Sequence, residues 1–75
     1  MFVLVKSDDW EGLYVNRKLW EEGHHIDLDI IKKACKKFNF DIGDLEEYWV
    51  SDKYYENVLS EIGNYPDSFD DVELS

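Results

Sequence analysis

Residues 9–25, DWEGLYVNRKLWEEGHH, gather two tryptophans, a tyrosine and a histidine pair in seventeen positions. Two short apolar runs, LYV (13–15) and KLWEE (18–22), flank the polar pair Asn16–Arg17. Runs of this kind with two residues between them read as a β-hairpin. A two-residue type I′ turn needs positive φ at both central positions, which Asn supplies readily and Arg less so. Side chains alternate along a strand, so Leu13 and Val15 are expected on one face and Tyr14 on the other. In the next strand Leu19 and Glu21 are expected to share a face, with Trp20 opposite.

Upstream, FVLVK (2–6) is β-branched and reads as a strand, and SDDWEG (7–12) is turn chemistry. Downstream, DLDIIKKACKKF (27–38) is the clearest helix. Asp27 is a good N-cap, and Asp29 complements the positive end of the helix dipole. Leu28, Ile31, Cys35 and Phe38 fall on one stripe, widened by Ile30 and Ala34. Lys32, Lys33, Lys36 and Lys37 fill the other side, and Asn39 ends the helix. After Gly43, DLEEYWVS (44–51) reads as a fourth strand with Leu45, Tyr48, Trp49 and Val50 as its apolar content.

DKYYENVLSEIG (52–63) allows a second helix capped by Asp52, with Tyr55, Leu59 and Ile62 at helical spacing, Val58 beside them and Gly63 as the stop. The alternative is that YYENV extends the strand. The last segment, NYPDSFDDVELS (64–75), is acidic and is expected to be extended, pinned by Tyr65 and Phe69 and frayed at its end. The fold class is α+β in a single domain, 1–75. A small antiparallel sheet (a three-stranded meander plus a fourth strand) carries one amphipathic helix packed across it, with a short second helix as the open question.

Only 75 residues are available for a core, but 16% of them are aromatic, a payload that disordered acidic chains lack. The single cysteine, Cys35, excludes an intramolecular disulfide. MFVLVK breaks its apolar run too early for a signal-peptide core or a membrane span, so a soluble cytoplasmic protein with no membrane partner is expected.

The net charge is −10, and it is unevenly placed. Residues 1–40 carry seven acids and seven bases; residues 41–75 carry eleven acids and one base, Lys53. Such a field repels nucleic-acid phosphates and speeds encounter with basic protein surfaces, although acidity also serves solubility alone.

No chemistry-bearing motif emerges. His24 and His25 with Asp27 and Asp29 resemble metal ligands in type, but adjacent histidines diverge in an extended segment and Asp27 is needed as a cap. Cys35 lies in the apolar stripe, where it serves as a small hydrophobe rather than a nucleophile. Paired carboxylates such as Glu46/Glu47 and Asp70/Asp71 are adjacent in sequence and do not face each other as an acid–base pair must. No enzymatic activity, metal site or cofactor is expected. The aromatics carry more information. With Leu13, Val15, Leu19 and Val50 in the core, Tyr14, Trp20 and Trp49 fall on the other face of the sheet, either bare or covered by the second half of the chain. Together with Glu46, Glu47, Asp52, Asp70 and Asp71 they form the expected partner-binding set, suited to a basic protein surface.

WEGLYVNRKLWEEGHHIDL (10–28), with YWVSDKYYENV (48–58) and GNYPDSFDDV (63–72), resembles a group of small acidic proteins of unknown function found in phages and prophage-like elements. Their pattern runs W-E-G-L-Y-V-N-G-K-L…E-G-H, and Asn16–Arg17 here departs from its ideal Asn-Gly turn. The resemblance implies a mobile-element accessory protein, some of which inhibit host proteins, and it supplies no catalytic residues. The leading expectation is therefore an acidic protein–protein interaction module that binds or inhibits a basic, nucleic-acid-binding protein as a charge mimic. The competing one is a self-associating accessory protein, a homo-oligomer without external ligand, for which the basic helix and acidic second half supply opposite charges.

Overall fold

The computed structural model describes all residues, 1–75. Strands β1 (Phe2–Lys6), β2 (Glu11–Val15) and β3 (Lys18–Gly23) form the antiparallel meander expected from the sequence. Helix α1 (Leu28–Phe38) follows, then a 3-10 turn (Ile42–Asp44) and β4 (Glu46–Trp49). The sheet order is β3-β2-β1-β4, and β4 runs parallel to β1, with Val3 opposite Glu46 and Lys6 opposite Trp49.

The sheet is thus mixed, which corrects the antiparallel expectation. The cause is α1 itself. Its 11 residues cover about 16 Å, roughly the length of one strand, and carry the chain back down the sheet. A strand laid after that crossover runs in the direction of β3, and β3 and β1 are themselves parallel in a meander.

The hairpin turn is tighter than its composition suggested. Both Asn16 (φ 51°) and Arg17 (φ 71°) occupy the left-handed region, as a type I′ turn requires. This turn places Val15 opposite Lys18 and Tyr14 opposite Leu19. Leu19 therefore shares the face of Tyr14 rather than that of Leu13. A bulge follows, with Leu13 paired to Glu21, so that Trp20 is the extra residue and turns toward the α1 side. The expected facings of Leu19 and Trp20 are exchanged.

Two cores result, one on each face of the sheet. Phe2, Leu4, Leu13 and Val15 meet Ile31 and Ala34 of α1, with Trp20, Phe38 and Phe40 at the margin. Asp27 caps α1 by accepting the Ile30 N–H at 3.0 Å, and Asn39 closes it at φ 60°. Lys32, Lys33, Lys36 and Lys37 remain exposed. On the other face Val3, Val5 and Tyr14 meet Val50, Tyr54, Leu59 and Tyr65.

The second helix is formed. We call it α2, spanning Asp52–Tyr54, a π-helical segment Tyr55–Leu59, and Ser60–Ile62. Ser51 rather than Asp52 is its cap, its Oγ accepting the Tyr54 N–H at 3.1 Å. The π turn, closed by the Ser60 N–H on the Tyr55 carbonyl, adds a residue to one turn. Tyr54 and Leu59, five apart, can then both face the sheet. Ile62 is left exposed, contrary to the regular spacing expected of it.

The segment 64–75 makes contacts along its length. Tyr65 is buried, the Leu19 N–H donates to the Asp67 carbonyl, and the Phe69 N–H donates to the Arg17 carbonyl. At its end the Ser51 N–H reaches the Glu73 carbonyl and the Ser75 N–H reaches the Trp49 carbonyl. Phe69–Asp71 form a final 3-10 turn. No helix is long and apolar enough to cross a membrane.

Candidate partner-binding edge

The eight residues expected to contact a partner separate into three groups. Tyr14 is fully buried: its ring meets Tyr65 and Phe69 edge-on, and its hydroxyl donates to the Pro66 carbonyl at 2.6 Å. It belongs to the core and has no surface to offer a partner. Trp20 is half-buried against α1, edge-on to Phe38 with ring centres 5.9 Å apart. The face that the sequence left open between bare and covered is covered, by α2 and the segment 64–75.

Asp70 and Asp71 are exposed on the layer that covers Tyr14. Asp70 pairs with the Arg17 guanidinium, and that hydrogen bond holds its carboxyl below the usual range. Asp70 is thus already engaged across the hairpin tip.

Glu46, Glu47, Trp49 and Asp52 remain, and these four come together at one edge of the molecule. β4 is an edge strand, and all four of its residues are exposed. In a parallel pair opposed residues share a face, so Glu47 and Trp49 stand with Leu4 and Lys6 on the α1 side, and Glu46 and Tyr48 with Val3 and Val5 on the α2 side. Each face of the strand therefore carries one glutamate and one aromatic. Lys6 Nζ lies 3.4 Å from Glu47 Oε1 and 6.0 Å from the Trp49 ring centre. The Tyr48 hydroxyl donates to Glu46 Oε2 at 2.5 Å, and that bond pushes the phenol pKa up. Trp49 keeps 54% of its surface exposed and Tyr48 39%. Asp52, the first residue of the next element, is exposed and lines a small cleft together with Trp49.

Sequence reasoning counted Tyr48 among the apolar content of its strand and missed it as a surface residue. The signal was present in EEYW, where no clear alternation separates a buried from an exposed face. What the sequence did not disclose was that β4 has only β1 as a neighbour.

The other candidates resolve into structural roles. His24 Nδ1 lies 3.1 Å from the Asp9 carbonyl oxygen, its ring edge-on to Trp10. His25 Nδ1 lies 3.4 Å from Glu11 Oε1, which also accepts the Ile26 N–H at 2.8 Å. These contacts fasten the β3–α1 junction to β2. Cys35 is half-buried against the α1 core. No three His, Cys, Asp or Glu side chains converge on a point where they could hold one metal ion. A cleft of about 200 Å³ beside the π turn is lined by Asp9, Trp10, Tyr55, Leu59, Ser60 and Gly63, and the Tyr55 hydroxyl donates to Asp9 Oδ1 across it. A wider, shallow cleft of about 510 Å³ lies at the hairpin tip, lined by Asn16, Arg17, Lys18, Leu19, Asp67 and Ser68.

No protein-family model, curated protein or solved structure matches the chain.

Proposed function

We propose that the protein is a non-enzymatic interaction module that binds a basic protein surface through the β4 edge. The observation that carries this reading is Trp49, 54% exposed between Glu47 and Asp52 at the end of an edge strand that pairs along its length with β1 alone. A large aromatic flanked by carboxylates offers a stacking surface for Arg or Lys as well as opposite charge. The remaining acids add a long-range field: Asp52, Glu56, Glu61, Asp67, Asp70, Asp71 and Glu73 are all exposed on or around the α2 layer. That field would raise the association rate with a basic partner and repel nucleic acid. Occupying the nucleic-acid channel of a basic host or phage protein as a charge mimic fits such a surface.

Titration against a panel of basic globular proteins tests the reading. The wild type should bind at about 50 mM salt and lose affinity steeply by about 500 mM. Trp49→Ala combined with Glu47→Gln should weaken binding by about tenfold or more. Binding that ignores both salt and these substitutions would overturn it.

A second reading rests on the separation of charge across the sheet. The α1 helix exposes four lysines beside Asp29, and the α2 layer exposes seven acids beside Lys53, so head-to-tail stacking of copies brings opposite net charges together. Light scattering over a range of concentrations distinguishes the two, because a partner-binding monomer keeps its mass.

A further inference from the structure

Within the sheet β4 pairs with β1 alone. Backbone groups of successive residues in a strand point in opposite directions, and the Val50 N–H is directed inward, to the Lys6 carbonyl at 3.0 Å. The same alternation turns the N–H and C=O of Glu47 and the N–H of Trp49 outward. The outward C=O of Trp49 is taken by Ser75, and the Ser51 N–H by Glu73, so that Leu74 stands opposite Val50 in an isolated antiparallel bridge. Glu73–Ser75 thus occupy the first rung of an added strand. Among residues 1–75, none pairs with the outer side of Glu46–Tyr48.

We infer that β4 accepts an extended basic segment of a partner protein as a fifth strand of the sheet, in line with the rung already made by Glu73–Ser75. This rests on the proposed function and specifies its mode: main-chain hydrogen bonds at Glu47 supply affinity, and side chains supply the choice of partner. Both faces of an added strand would lie beside an acid and an aromatic, Glu47 with Trp49 on one side and Glu46 with Tyr48 on the other. A segment with Lys or Arg at successive positions therefore finds a carboxylate on either face, and one on the α1 side can join Lys6 over the Trp49 ring. A second copy of this chain is the poorer occupant, since two β4 edges would bring four glutamates together on molecules each at −10.

The test uses the full chain and a synthetic peptide with Lys and Arg at successive positions flanked by Val and Thr, alongside the same peptide N-methylated on alternate residues. Binding is followed by amide hydrogen exchange and by titration. The expected result is slowed exchange at the Glu47 amide, with affinity at least about tenfold lower for the N-methylated peptide. Glu47→Pro should lower affinity as much while leaving the fold intact, because the N–H it removes points away from β1 and proline is tolerated on edge strands. Equal binding of the methylated and unmethylated peptides overturns strand addition and leaves a side-chain docking surface. Failure of the wild type to bind the peptide also overturns it, and the basic-protein titration then shows independently whether the proposed function stands. Dimerisation of the wild type that Glu47→Pro abolishes would assign the edge to a second copy and overturn the basic-segment assignment.

Discussion

Gly12 and Tyr65 show how closely the α2-side core is fitted. A Cβ on Gly12 would lie 2.7 Å from Cδ2 of the Tyr65 ring. That ring cannot swing aside, because its hydroxyl donates to the Trp10 carbonyl at 2.8 Å and its N–H donates to Glu22 Oε1 at 3.0 Å. Gly12→Ala should therefore destabilise the fold by about 1–3 kcal/mol, measured by chemical denaturation; an unchanged midpoint would show that the ring yields. Tyr65 also makes the fold sensitive to alkali. Burial is the main cause raising its phenol to about 12, from an ordinary value of 10.0, and burial likewise raises Tyr14. The folded state favours the protonated phenol. Its contribution, on the order of 2 kcal/mol for Tyr65, is fully present below pH 10 and lost as pH rises through about 12. Thermal melts between pH 9 and 12 should show the midpoint falling above about pH 10, and a flat profile would contradict the burial of these rings. None of this was legible in the sequence. Gly12 read as part of a turn, although nothing about it requires positive φ, and its role depends on a residue 53 positions away.

At the scale of elements, local chemistry was readable and pairing was not. α1 was legible from Asp27 to Asn39 because a cap, an apolar stripe and a stop residue lie within one short segment. The hairpin was legible in position but not in facing. A two-residue turn dictates that Tyr14 opposes Leu19, and the bulge at Trp20 then breaks the alternation that a simple strand would keep. The π turn in α2 disrupted the expected spacing in the same way, by one added residue. Arg17 at φ 71° pays the backbone cost of the tight turn, and its exposed ion pair with Asp70 returns little. Arg17→Gly should therefore raise stability by about 0.5–1 kcal/mol as measured by urea denaturation. A loss of stability would mean that the contacts of Arg17 with Asp70 and Phe69 outweigh backbone strain.

Across the whole molecule, the charge imbalance between the two halves of the chain becomes a separation in space. α1 places its lysines on one side of the sheet, and α2 with the segment 64–75 places acids on the other. Between them β4 exposes both of its faces and one edge. The imbalance was legible as composition, but its geometry depended on the crossover that sets β4 beside β1, and no local pattern encodes that choice. Tyr14 and Trp20, expected near the partner, lie in or against the cores, while Glu46, Glu47, Trp49 and Asp52 form a contiguous surface that Tyr48 completes. The central claim is that this surface is where a basic partner binds. Mapping backbone amide shifts of the full chain on titration with a basic peptide at low salt tests it most directly. The account predicts changes concentrated at Glu46–Trp49 and Asp52; changes confined to the α1 lysine face or to Asp67–Glu73, or none at all, would contradict it.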